Sequence, residues 1–179
     1  MWRRILTPDE LTALAESENT DIVDGISIEG SGLQRLDTIM VLACERGYLD
    51  IVKNLVYRGA DKNLNVDYLC IAAEHDWIEI AQYLIERGVA IDGKSSRQGY
   101  TPLMTAAANG SLATFEFLVR AGANIDISTT EGFTATQIVK HTIQSREKMN
   151  QTFPRKLHQN CKQILHLLEK LELSPPDAG

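Results

Sequence analysis

Three small-residue pairs, Ala43-Cys44, Ala72-Ala73 and Ala106-Ala107, each precede a glycine by the same interval. Counted from the start of the pair, Gly59, Gly88 and Gly122 follow at sixteen residues. The pairs lie 29 and then 34 residues apart, and Gly99 to Gly132 gives a second ruler of 33. A period in this range marks a solenoid, in which each unit buries its apolar face only against its neighbours. Function in such a chain is expected on a surface built by stacking, not in a catalytic pocket.

Each unit reads as two helices. Thr101 can cap the first, and Pro102 at its first position loses no needed N–H. Ala106 and Ala107 let neighbouring helices approach closely, and Asn109-Gly110 stops the helix by admitting a left-handed residue. The second helix places Leu112, Phe115, Leu118 and Val119 at helical spacing. Ile78, Ala81, Leu84 and Ile85 repeat that spacing one unit earlier, and Leu49, Val52, Leu55 and Val56 two units earlier.

The run Gly99-Tyr100-Thr101-Pro102-Leu103-Met104-Thr105-Ala106-Ala107-Ala108-Asn109-Gly110, with Ala121-Gly122-Ala123-Asn124 beyond it, closely resembles the ankyrin repeat. That family's pattern is G-x-T-P-L-H-x-A-A, then N-G, then an apolar helix ending in G-A-D. Met104 stands where the family has His, which implies one weakened turn hydrogen bond. The resemblance runs roughly from Leu36 to Leu171. It implies an all-α ankyrin-repeat solenoid of stacked helix-turn-helix units with short β-hairpin-like loops, whose concave face binds another protein.

The boundaries follow the rulers. Residues 1–34 are expected to form an N-terminal helical cap and a connection. The cap helix starts at Leu6-Thr7-Pro8-Asp9-Glu10-Leu11, where Thr7 caps, Glu10 completes a capping box and Leu6 staples onto Leu11. An irregular connection then covers 17–34. Repeats are expected at about 35–64, 65–97, 98–130 and 131–173, with a disordered tail at 174–179. The first junction is short and reads as a plain turn. In the fourth unit, aligning Leu165-His166-Leu167-Leu168 on Phe115-Glu116-Phe117-Leu118 leaves about seventeen extra residues, placed as an insertion near 144–158 and broken at Pro154. A lengthened first helix, a turn near Phe153-Pro154 and a final helix to about Leu173 are expected there.

Composition sets further expectations. Hydrophobic content of 44% and charged content of 23% are those of a water-soluble globule. No stretch approaches the roughly 20 apolar residues that span a bilayer, and the opening ten residues lack the apolar core of a signal peptide. Three scattered cysteines suggest reduced thiols and a cytoplasmic location. The net charge of −6 disfavours general nucleic-acid binding. Its distribution is uneven: 9–29 holds seven acids and no Lys or Arg, whereas 140–162 holds six basic residues and one acid.

The motifs of chemistry are thin. His141, His158, Cys161 and His166 lack the tight pairs of a zinc site, so neither metal nor cofactor is expected. Cys44 takes a helix-contact position, and Cys70 is read as lying at the start of an inner helix. With no nucleophile elbow, no phosphate-cradling loop and no H-E-x-x-H, an enzyme is not expected, nor is a small-molecule substrate. The expected function is stoichiometric binding of a partner protein, as an inhibitor, an immunity-type antitoxin or an assembly chaperone. The alternative is a metal- or nucleic-acid-binding protein using the basic C-terminal insert. The resemblance assigns the partner surface to fingertip residues Arg97, Gln98, Tyr100, Glu131 and Phe133. It adds inner-helix ends at Glu45, Arg46, Glu74, His75, Asn109 and His141, with Trp77 beside them.

Overall fold

The computed structural model describes residues 32–57, 64–96, 99–148 and 155–173, and every regular element among them is a helix. The helices come in four pairs: α1 (Gly32–Arg46) with α2 (Leu49–Tyr57), α3 (Val66–Glu74) with α4 (Ile78–Glu86), α5 (Pro102–Asn109) with α6 (Leu112–Arg120), and α7 (Ala135–Lys148) with α8 (Arg155–Leu173). Two loops close as hairpin-like fingers. Ser128 and Thr134 form an antiparallel bridge, with Thr129 N–H donating to Phe133 O at 2.9 Å. One junction earlier, Ser95 N–H donates to Tyr100 O at 2.8 Å. The chain is therefore an all-α repeat solenoid.

Small residues set the stacking. Ala43, Cys44, Ala72, Ala73, Ala106 and Ala107 are all fully buried, and the first helices α1, α3, α5 and α7 lie against one another along much of their length. The second helices carry Leu55, Leu84, Phe115 and Leu118 inward and touch their counterparts far less. The stack is thus tighter on the first-helix side. The apolar core runs the length of the array in two clusters bridged by Ile85 and Phe117. Each large side chain in it contributes about 1.5–3 kcal/mol relative to exposure.

Polar links join one pair to the next. Asp76 sits in the left-handed region at φ +61°, which a short polar side chain tolerates, and its carboxylate accepts from Thr114 N–H at 2.8 Å. The amino end of α6 is therefore capped from the preceding pair, and Ser111 Oγ donates to Glu74 O at 3.0 Å across the same boundary. Asn160 Nδ2 donates to Gly110 O at 2.9 Å, and Arg146 Nη2 donates to Ala108 O at 3.3 Å. At α5 the Thr101 hydroxyl accepts from Met104 N–H at 3.2 Å. Met104 Sδ accepts in return from Thr101 N–H at 3.5 Å, the weak sulfur bond expected where the family has His.

Three expectations need correction. Helix α1 begins at Gly32, so Gly32, Leu33 and Gln34 are helical and not part of an irregular connection; in sequence, Leu33 and Leu36 extend the apolar spacing that leads to Met40. Cys70 lies in the middle of α3, because Asn65 caps that helix through Asp67 N–H at 2.9 Å and Val66 starts it. His141 is not at a helix end. Helix α7 runs 14 residues, to Lys148, because His141-Thr142 offers no counterpart to the Asn109-Gly110 stop. Much of the additional chain expected near 144–158 thus extends helices, with α8 reaching 19 residues against nine in α6. The expected capping helix, residues 58–63 of the short junction, the turn at Phe153-Pro154 and the tail at 174–179 lie outside the described residues.

Candidate functional site

Each first helix leaves one stripe uncovered. On α3 the stripe is Asp67, Ile71 and Glu74, at i, i+4 and i+7, with His75 just past the helix end. On α1 it is Thr38, Leu42 and Glu45, followed by Arg46. On α7 it is Gln137, His141, Gln144 and Lys148. On the short α5 the uncovered residues are Ala108 and Asn109, both half-buried. The sequence reading missed Leu42, Ile71 and Gln137. They were available in it as the complement of the buried spacing.

Tyr100, Glu131 and Phe133 lie on the finger side, where the first helices begin. Glu45, Arg46, Glu74, His75 and Asn109 lie where those helices end. A nine-residue helix rises about 13 Å, so the two sets form separate rows on either side of the uncovered stripe. Phe133 is 47% exposed, while its backbone N–H is held by Thr129 Oγ1 at 3.1 Å. Tyr100 is half-buried and packs against the core. Asn109 donates to Thr105 O at 3.0 Å within its own helix, and Glu131 and His141 are exposed. Arg97 and Gln98 lie outside the described residues.

Trp77 belongs to the joint between pairs. Its indole N–H donates to Glu45 O at 3.3 Å. Its ring covers Gly47 so closely that a Cβ there would lie 2.7 Å from Trp77 Cε2. Gly47 also has φ +77°, so that position is closed to side chains on two counts. The ring fills the space beside the first pair and keeps an exposure of 37%.

The thiols are built for packing. Cys44, Cys70 and Cys161 are all free and buried. Burial, with Glu45 adding to it, pushes the Cys44 thiol up to about 12 from 9.0. Burial raises Cys70 to about 12 against an opposing hydrogen bond from Thr105. Cys161 is raised by burial and partly offset by Arg146, whose Nη1 lies 3.3 Å from its sulfur. At neutral pH all three stay protonated and unreactive. Among the described residues no three His, Cys, Asp or Glu side chains converge to hold a metal.

A pH dependence follows from Cys44 and Cys70. Below about pH 9 they are protonated in both folded and unfolded chains, so their contribution to stability is full. Between about 9 and about 12 only the unfolded chain releases protons, and stability falls as pH rises. Urea midpoints should drop from pH 8 to pH 10. Ellman's reagent at pH 8 should label the three thiols only after denaturant is added. Fast labelling of the native chain would contradict this burial.

The family model for ankyrin repeats, in three copies, matches residues 39–129. Among curated proteins, a fowlpox virus protein named for its ankyrin repeats is 32% identical over 56% of this chain and 32% of its own length. A Caenorhabditis elegans ankyrin repeat and KH domain-containing protein is 36% identical over 50% of this chain and 4% of its own length. A Saccharomyces cerevisiae protein, named as a probable 26S proteasome regulatory subunit, is 33% identical over 68% of this chain and 54% of its own length. The chain thus spans at most about half the length of these relatives. No helix among the described residues is long and apolar enough to cross a membrane.

Proposed function

The chain belongs to the ankyrin-repeat family, whose repeats are protein-interaction modules, and from that membership we propose that it acts by stoichiometric binding of a partner protein without chemistry of its own. The observation carrying the proposal is the unequal packing of the two helix layers. The first helices α1, α3, α5 and α7 stack more closely than the second helices do. On the reading proposed here this bends the array toward the first-helix side and gathers the stripes and fingers on one concave face, a common trough. The stripes offer half-buried Leu42 and Ile71 between the carboxylates of Glu45 and Glu74, and Phe133 stands at a fingertip. A few apolar anchors ringed by polar groups are what a protein interface needs.

Masking a partner's surface accounts for all three uses: inhibitor, antitoxin and assembly chaperone. The assembly role stands nearest the yeast relative, named as a probable subunit of a larger complex and matched over 54% of its length. The test is affinity isolation from native lysate with the wild-type chain and a Phe133→Ala, Glu74→Arg double variant. Both residues are exposed, so the variant should melt like wild type. Its retention of the partner should fall by about 30-fold or more, the scale of one hot spot. Undiminished retention by the folded variant would refute the trough as the binding surface.

A further inference from the structure

The second helices carry a different surface. Between α6 and α8 lie two adjoining hollows of about 460 and 390 Å³, joined where Glu116 and Leu167 line both. Their floor is apolar and half-buried: Leu112 and Val119 from α6, Leu167 and Leu171 from α8. The trough follows α8 from Gln159 to Leu171, a rise of about 18 Å at 1.5 Å per residue. All of its lining comes from the second helices α6 and α8, so it shares no residue with the first-helix stripes.

The rim is cationic. Lys162 and Lys170 stand along the α8 edge, and Arg120 stands on α6. The one acid lining either hollow, Glu116, is already paired with Arg120 at 3.9 Å. Lys162 Nζ also lies 3.5 Å from Glu147 Oε1. Among the residues lining the two hollows, Arg120, Lys162 and Lys170 outnumber the carboxylate of Glu116, so positive charge exceeds negative along the trough.

The walls constrain the shape of an occupant. Both are helices whose backbone groups are bonded within themselves, so the trough offers no strand edge to an extended peptide. An occupant with its own backbone bonds satisfied, a helix, fits the site. We propose that the α6–α8 trough is a second docking site, for an acidic amphipathic helix of a partner protein. Apolar residues at i, i+3 and i+7 seat on Leu112, Val119, Leu167 and Leu171, while carboxylates meet Lys162 and Lys170.

The probe is a synthetic peptide of about 14 residues, long enough to fill the trough at 1.5 Å per residue, with leucines at that spacing and glutamates on the other face. A second peptide carries lysine in place of each glutamate. Titrated into 15N-labelled protein, the acidic peptide should shift amide resonances of Leu112, Val119, Leu167 and Leu171 and leave those of Phe133 and His75 in place. The lysine peptide should bind at least tenfold more weakly. Lys162→Glu with Lys170→Glu, both at exposed positions, should weaken the acidic peptide about tenfold and favour the basic one. Equal binding of both peptides, or no shift in α6 and α8, overturns the proposal. Concentration-dependent broadening of the same residues without peptide would instead assign the trough to a second copy. Displacement of the acidic peptide by a tighter-binding oligonucleotide would assign it to nucleic acid.

Discussion

Replacing Phe115 with Ala should remove about 3–5 kcal/mol of stability, the usual loss for deleting a fully buried aromatic side chain. Phe115 is completely inaccessible and is among the largest side chains in the cluster that unites α5, α6, α7 and α8. It shares that cluster with Leu103, Met104, Leu118, Ile164 and Leu168, side chains already buried and close-packed, so the surroundings relax only partly and a cavity remains. In thermal unfolding the midpoint should fall by roughly 6–20 °C. Because a repeat array couples only neighbours, the loss should appear first as early melting of the last two pairs. Urea unfolding followed by circular dichroism, with half-buried Phe117→Ala as comparison, decides the matter. A loss below about 1 kcal/mol for Phe115→Ala would show that the site collapses around the gap.

Gly110→Val should be comparably damaging for a different reason. Gly110 holds φ +69° at the end of α5, where a β-branched residue is strained by about 1–2 kcal/mol or more. A Cβ there would also lie 3.0 Å from Leu157 Cδ1 and from Leu157 O, and 3.1 Å from Cys161 Sγ. Helix α8 would have to withdraw and strain the Asn160 bond to Gly110 O. The total should reach about 2–4 kcal/mol. Gly122→Val separates the two causes, since Gly122 has φ +90° but nothing within 4 Å of its Cβ position. Equal losses at the two positions would mean that the approach of α8 contributes nothing.

The repeat was legible because stacking imposes residue types at fixed intervals: alanine where helices touch, glycine where a helix ends, leucine or phenylalanine where a second helix faces inward. Where the chain departs from its own template, local rules governed the outcome. Without a glycine after Thr142, α7 continued to Lys148, and His141 moved from a helix end to the middle of one. The upstream limit of α1 was misjudged because Gly32 was read as loop, although Leu33 and Leu36 already kept helical spacing. The candidate surface was harder to see. Its residues are those the fold leaves unspecified, so only the uncovered register of each helix, as with Leu42 and Ile71, points to them. The α6–α8 trough was not visible as a place at all, since it depends on where α8 settles beside α6. Of the basic residues that line it, only Lys162 belongs to the run at 140–162 that stands out in the sequence.

Asp76 finishes a helix that begins well beyond its own pair, reaching Thr114 across a separation of 38 residues. The second pair is therefore not a portable cassette. Excising α3 and α4 to shorten the array would leave α6 with an unmet amino terminus even if the remaining apolar surfaces were made to match. Recombination that preserves this lineage's architecture should place its crossovers to keep Asp76 and Thr114 on the same inherited fragment.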